Sequence, residues 1–191
     1  MTSLPDDRDA SGGTFLDLLA EQVGNEFTAA QQYTAVAVYF DGADLPQLAK
    51  RFYRQAVEER NHAMMIVRYL LDKGAPVRIP PVPAVTTEFA SVREPVELAL
   101  DQERAVTEQV TRLARAARDS GDYLGEQFMG WFLKEQVEEV AAMTTLLRVV
   151  ERAGDNLFHL ENFVDRELNS TPSADPTAPT PAGGTVTLLP E

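Results

Sequence analysis

This sequence of 191 residues has no cysteine, two histidines and one tryptophan. Without cysteine there is no disulfide, no thiolate zinc site, no iron–sulfur cluster and no sulfur nucleophile. Any metal must be held by oxygen and nitrogen donors. With only His62 and His159 to offer nitrogen, those donors are mostly carboxylates, which favour hard or borderline cations. Positive charge is also scarce. Lys and Arg number 17 against 30 Asp and Glu, a formal net charge of -13, which repels nucleic acid and attracts cations. No apolar run approaches the roughly 18 residues that cross a bilayer, so no membrane association is expected. The opening MTSLPDDRDASGG lacks the basic and apolar stretches of a secretory signal, and a cytoplasmic location is expected. The length fits one domain with a sizeable core.

What is present is helical periodicity. Residues 1–13 read as a flexible acidic leader. Phe15, Leu18, Leu19, Val23, Phe27 and Ala30 recur at spacings of three and four and predict a first helix from Phe15 to about Tyr39. DGADLP breaks it, with Asp44 expected as N-cap and Pro46 in the first turn of the next helix. That second helix runs from about Leu45 to Asp72, about 40 Å at ~1.5 Å per residue, and stops at Lys73-Gly74. Residues 74–94, with Pro76, Pro80, Pro81 and Pro83, read as an ordered crossover the full height of a bundle, returning the third helix parallel to the second. A capping-box pattern at Ser91–Glu94, followed by Pro95, starts that third helix, 95–118. The fourth is 123–153, closed by Gly154, and a short fifth covers 156–168. The expected fold is all-α: a four-helix bundle with a long crossover between helices two and three and a short C-terminal helix. Residues 169–191, rich in Pro, Thr and Ala, read as a disordered tail, so that the folded domain is 14–168.

The helices carry carboxylates on faces that should be buried. Glu26 sits within VGNEFTAAQQY, and Tyr33 lies seven residues on, within about 20° of the same face. Glu59 and His62 are three apart on helix two, so both reach one ion. Glu103 lies between Leu100 and Val106 on helix three. Helix four offers Glu135, Gln136, Glu138 and Glu139. A buried, unpaired carboxylate is costly enough that it takes up a proton instead. Several converging from separate helices call for a shared positive charge, and a pair of metal ions is the economical source.

On NEFTAAQQY, EERNHA, LDQE and EQVEE the chain resembles a bacterial non-haem ferritin over about residues 15–168. The resemblance implies a ferritin-like bundle, an iron-storage protein with ferroxidase activity toward Fe(II), and dioxygen or peroxide as oxidant. It implies one iron held by Glu26, Glu59 and His62. A second would be held by bridging Glu59, with Glu103 and Glu139 and with Gln136 beside them. A third, weaker site would use Glu58, Glu135 and Glu138. It also implies a homo-oligomer, a hollow cage of roughly two dozen subunits. Bacterioferritin, similar in fold, keeps a histidine where this chain has Glu139 and a haem-ligating methionine where it has Arg60, so no haem is expected. Met64 and Met65 read as core or interface filler. Tyr33 and Trp131 are candidates to hydrogen-bond a ligand or donate an electron, or else ordinary core aromatics, and His159 reads as a surface or packing residue. The acidic leader and the ligand set within one bundle argue against a DNA-protecting mini-ferritin, and the lack of cysteine leaves a rubrerythrin-like protein without a rubredoxin-type domain. The tail tip GGTVTLLPE is either an idle remnant or an apolar tip that docks on a larger packaging shell.

Overall fold

The computed structural model describes residues 13–169 and 175–186, so most of the expected leader lies outside the described residues. Helix α1 (Phe15–Gly42) starts at Thr14, whose side chain accepts from the Asp17 N–H while Asp17 accepts in return. This reciprocal capping box satisfies two otherwise orphaned donors. The helix runs past Tyr39 to Gly42. Asp44 does not cap the next helix. It takes φ +56° in the connecting turn, a left-handed conformation that Asp tolerates because its short side chain bonds locally. Helix α2 (Pro46–Asp72) begins from Leu45 with no side-chain cap, and Pro46 fits where no N–H is needed. Helix α3 (Arg93–Asp119) begins two residues before Pro95, with Ser91 and Glu94 bonding around its first turn. Helix α4 (Tyr123–Ala153) is capped by Asp122, which accepts from the Gly125 N–H. It ends at Gly154, φ +53°, where a side chain would be strained. Helix α5 (Leu157–Phe163) is short and passes into a π-turn, Val164–Leu168.

Two antiparallel hairpins, α1–α2 and α3–α4, form the four-helix bundle. The crossover lies along α1. Pro80 packs over Gly24, where an added Cβ would meet the Pro80 ring at 2.8 Å. The Gln32 amide exchanges hydrogen bonds with Thr86 N–H and C=O at 2.9 and 2.8 Å, and Phe89 meets Tyr39 edge to face. Thus α3 starts beside the end of α1 and runs parallel to α2.

The apolar core is not continuous. One half gathers Phe40, Phe52, Leu100 and Met143 with α5, and the other gathers Val23, Ile66, Val106 and Phe132. Each of α1 to α4 gives residues to both halves and an ionisable or amide residue to the layer between them. Burying a large apolar side chain stabilises by ~1.5–3 kcal/mol. The two apolar ends therefore hold the helices in register around a polar middle that would not hold itself.

The tail differs from expectation. Residues 175–186 lie against α2 and α4. Asp175 accepts from Trp131 Nε1–H at 3.1 Å and from Lys134 at 3.2 Å. Ala182 N–H donates to the Met64 carbonyl, and Asn61 grips both the N–H and C=O of Val186. Ala178 and Ala182 pack against the second core half. Small residues let this turn-rich segment sit close to two helices, and polar anchors at both ends offset its ordering entropy.

Candidate metal centre

Glu26, Glu59, His62, Glu103, Gln136 and Glu139 all lie in the polar layer. The side chains of Glu26, Glu59 and Glu103 are each 1% exposed and His62 is 3% exposed. Ligand atoms of Glu26, Glu59 and His62 lie within 4.8 Å of one another, which brings together the first set read from the sequence. His62 Nδ1 is 3.1 Å from Glu59 Oε2. Glu59 Oε1 and Glu139 Oε2 both accept from Gln55, at 3.2 and 2.9 Å. Glu103 accepts a short hydrogen bond from the Tyr33 hydroxyl. Gln136 accepts from Thr107 at 2.9 Å and points its amide at Glu103 at 3.5 Å. The donors are amides, a phenol and the Thr107 hydroxyl, with the His62 imidazole beside Glu59. One oxygen, Glu26 Oε2, is buried with no partner.

A second group, Glu58, Glu135 and Glu139, also has ligand atoms within 4.8 Å of one another, at the half-buried edge of α2 and α4. Glu139 thus belongs to the edge group and adjoins the inner one through the Gln55 amide it shares with Glu59. The structure does not bring Glu138 together with Glu58 and Glu135: its side chain is 63% exposed and pairs with Lys134 at 3.8 Å. It is one residue, about 100° of helix, away from Glu139 and so faces solvent.

The electrostatics follow depth. Burial, then the neighbouring Glu59 charge, pushes the Glu26 carboxyl up to about 8. Burial, then Glu103 and Glu139, holds Glu59 well above the ordinary carboxylate range. Burial, then Glu139, raises Glu103 to about 7. Tyr33 is raised by burial and then by Glu103. At the edge, burial and Glu139 bring Glu58 to about 7, and burial raises Glu135. Each of these groups resists its charged form, so a cation that replaces the protons fits the layer. Oxygen donors with one imidazole suit a divalent ion of the iron(II) type.

Sequence reasoning missed Gln55 and Gln22. Each stands one turn before a ligand glutamate, Glu59 and Glu26, and donates to it; an amide at i−4 of a carboxylate was the available signal. Trp131 hydrogen-bonds Asp175 rather than a ligand, and its ring meets His62 edge-on at 5.6 Å. His159 is exposed on α5.

The ferritin-like domain model matches residues 16–153. A ferritin BfrB of Mycolicibacterium smegmatis is 65% identical over 170 residues, 89% of this chain and 93% of that protein. A protein named bacterioferritin BfrB from Mycobacterium tuberculosis is 64% identical with the same coverage. A bacterial non-heme ferritin of Staphylococcus saprophyticus is 39% identical over 74% of this chain and 84% of its own length. Among solved structures, an open-pore ferritin from Archaeoglobus fulgidus superposes with TM-score 0.77 at 25% identity, over 80% of this chain and 96% of that one.

Proposed function

The chain belongs to the ferritin family, and we propose that it stores iron and oxidises Fe(II) at a di-iron site inside each subunit. The observation that carries this reading is the convergence of Glu26, Glu59 and His62 within 4.8 Å in a sealed polar layer that Glu103, Gln136 and Glu139 share. Iron is the substrate. Glu26, Glu59 and His62 hold the first Fe(II); Glu59 reaches onward to a second, beside Glu103 and Glu139, with Gln136 in support. Protons leave the raised carboxyls as Fe(II) arrives, because the divalent charge favours their ionised forms. Two Fe(II) give one electron each to dioxygen, which takes two protons and leaves as hydrogen peroxide. With peroxide as oxidant, two electrons and two protons give two waters. Tyr33 fixes the orientation of Glu103 through its hydroxyl. Glu58, Glu135 and Glu139 offer the weaker third position at the half-buried edge, on the way out for Fe(III).

The storage shell is a homo-oligomer, a cage of roughly two dozen copies in the cytoplasm. Phe158 is 88% exposed and Tyr123 77%, and large exposed apolar side chains of this kind suit burial against further copies. No helix of the described residues is long and apolar enough to cross a membrane. We assign no haem: Arg60 follows Glu59 and is exposed, Met65 is buried in the core, and the Met64 carbonyl binds the tail. A Soret band in protein purified from haem-replete cells would reverse that assignment. The last tail residues, 187–191, lie outside the described residues. Their docking on a packaging shell is tested by deleting 170–191 and comparing what co-purifies.

The main test is aerobic Fe(II) oxidation with the particle sized alongside. A large hollow particle that oxidises Fe(II) and retains the ferric product meets the proposal. A dimer or monomer that oxidises Fe(II) without retaining it points instead to a non-storing di-iron enzyme.

A further inference from the structure

On the α1–α3 side of the polar layer lies a knot of three amides. Gln22, 2% exposed, donates through Nε2 to Glu26 Oε1 at 2.9 Å and to Gln109 Oε1 at 3.0 Å. Its own oxygen accepts from Asn25 Nδ2 at 3.0 Å, and Asn25 also donates to Gln109 Oε1 at 3.2 Å. Both amide protons of Gln22 are therefore committed. The orientation is unique, because a flipped amide would place its oxygen against two acceptors at once. The three residues also line an open surface cleft between α1 and α3, so a single side chain spans from solvent to Glu26. The consequence falls on Glu26: one carboxylate oxygen is engaged by Gln22, and the other, Oε2, is buried with no amide, hydroxyl or imidazole donor, the Glu59 carboxyl being the other group within hydrogen-bond reach of Glu26.

Resting on the di-iron reading above, we propose that Gln22 is a positioning residue for the first iron. It commits Oε1 of Glu26 to a hydrogen bond and presents Oε2 alone, so that Glu26 binds the metal through one oxygen. Gln109 and Asn25 anchor the Gln22 amide from the cleft side. Three physical points converge. A hydrogen bond to an ionised acceptor stabilises the form that binds metal. A carboxylate whose second oxygen is engaged resists bidentate chelation, which leaves a coordination position on the ion for the oxidant. The groups that orient a ligand typically govern metal affinity tenfold or more.

The experiment is an anaerobic Co(II) titration of the assembled full-length protein, followed by calorimetry and by the visible Co(II) bands, with Co(II) standing in for Fe(II). Gln22→Leu keeps the volume and removes both donors. The expected result is about a tenfold weaker first binding event with the second little changed. Weaker Co(II) bands are also expected, as coordination number rises when Glu26 chelates through both oxygens. Gln22→Asn keeps an amide but is one methylene too short to reach Glu26, and should behave like Gln22→Leu if positioning is the role. Gln109→Leu leaves the Gln22–Glu26 bond and loosens its anchor; about a two- to threefold loss in the same event is expected, which keeps the proposal testable if the Gln22 variants fold poorly. In aerobic Fe(II) oxidation the half-saturating Fe(II) concentration should rise, and the maximal rate should fall as the second Glu26 oxygen takes the position otherwise left for the oxidant. Wild-type Co(II) affinity and unchanged bands in Gln22→Leu and Gln109→Leu overturn this proposal alone. A wild-type protein that binds no Co(II) in the layer overturns the di-iron reading and this proposal with it.

Discussion

The inner trio of acid and imidazole groups comes from α1 and α2 and the edge trio of carboxylates from α2 and α4, and on α2 adjacent positions separate them. Glu59 belongs to the inner group and Glu58 to the edge; Glu139 belongs to the edge and shares the Gln55 amide with Glu59, while Glu138 faces solvent. A step of about 100° around a helix moves a carboxylate from a sealed layer to the rim of the bundle. The inner group lies between two apolar core halves and takes its hydrogen bonds from Gln22, Gln55, Tyr33 and Gln136. The edge group is half-exposed and has cationic side chains within reach: against their burial, His62 and then Arg51 lower the Glu58 carboxyl, and His62 and then Lys134 the Glu135 carboxyl. The difference teaches that depth, not composition, decides what a carboxylate cluster does.

The largest expected contrast is in rate. Glu59→Ala/His62→Ala removes two members of the inner trio and should slow initial Fe(II) oxidation by at least about 100-fold, beyond the loss typical of groups that merely support a ligand. Glu58→Ala/Glu135→Ala should cost only about two- to fivefold in the same stopped-flow assay and alter chiefly the slower later phase. Equal initial rates in the wild type and the inner variant would remove the catalytic assignment; equal losses in both variants would erase the distinction between the groups.

Next in size is a pH effect on stability. In the unfolded chain a glutamate ionises near 4.5, whereas in the folded, metal-free chain Glu26 ionises near about 8 and Glu103 near about 7. Between those limits the folded state binds more protons than the unfolded one, so stability falls as pH rises through the window. The metal-free protein should melt about 5–10 °C lower at pH 8 than at pH 5. Divalent metal should flatten or reverse that slope and release protons on binding, measurable by calorimetry in buffers of different ionisation enthalpy. The edge pair should share less of this behaviour: Glu58→Ala/Glu135→Ala keeps most of the pH slope, and Glu26→Gln removes a large part of it. A metal-free melting temperature that rises from pH 5 to pH 8 would contradict the protonated-layer picture.

The inner group was legible in the sequence because Glu26, His62 and Glu103 interrupt apolar faces, and a charge inside an apolar stripe is conspicuous. The four helices were legible for the complementary reason, since the stripe itself persists on either side of each charge. Gln22 and Gln55 were not. A neutral amide at i−4 of a glutamate looks like ordinary helix surface until the partner helix is in place, and Gln55 earns its role only by reaching Glu139 on α4. Glu138 lies apart from Glu58 and Glu135, and spacing alone does not say which of two adjacent carboxylates turns inward. Asp44 misled because a turn residue with φ +56° and an N-cap share the same residue preferences. The tail was read from composition, which reports that a segment cannot build its own core but is silent on whether a groove elsewhere accepts it.

That groove gives the smallest and most local test of how the edge differs from the interior. Lys134 lies 3.2 Å from Asp175 and 3.8 Å from Glu138, so the tail competes with α4 for one cation next to the edge group. Asp175→Asn keeps the size and removes the charge. Lys134 should then turn to Glu138 and bring positive charge closer to Glu135, weakening metal binding at the edge by about twofold, as expected for a solvent-exposed pair. Trp131 is the sole tryptophan, and its indole N–H loses a charged acceptor, so its emission should shift as the tail loosens. The inner group should not follow. Trp131 meets His62 only ring to ring, and no ligand depends on the Asp175 carboxylate, so initial Fe(II) oxidation should stay within about twofold of wild type. Unchanged Trp131 emission would mean that the anchor does not hold in solution. A large fall in the initial rate would mean that the tail reaches the sealed layer and that the two acid groups are not independent.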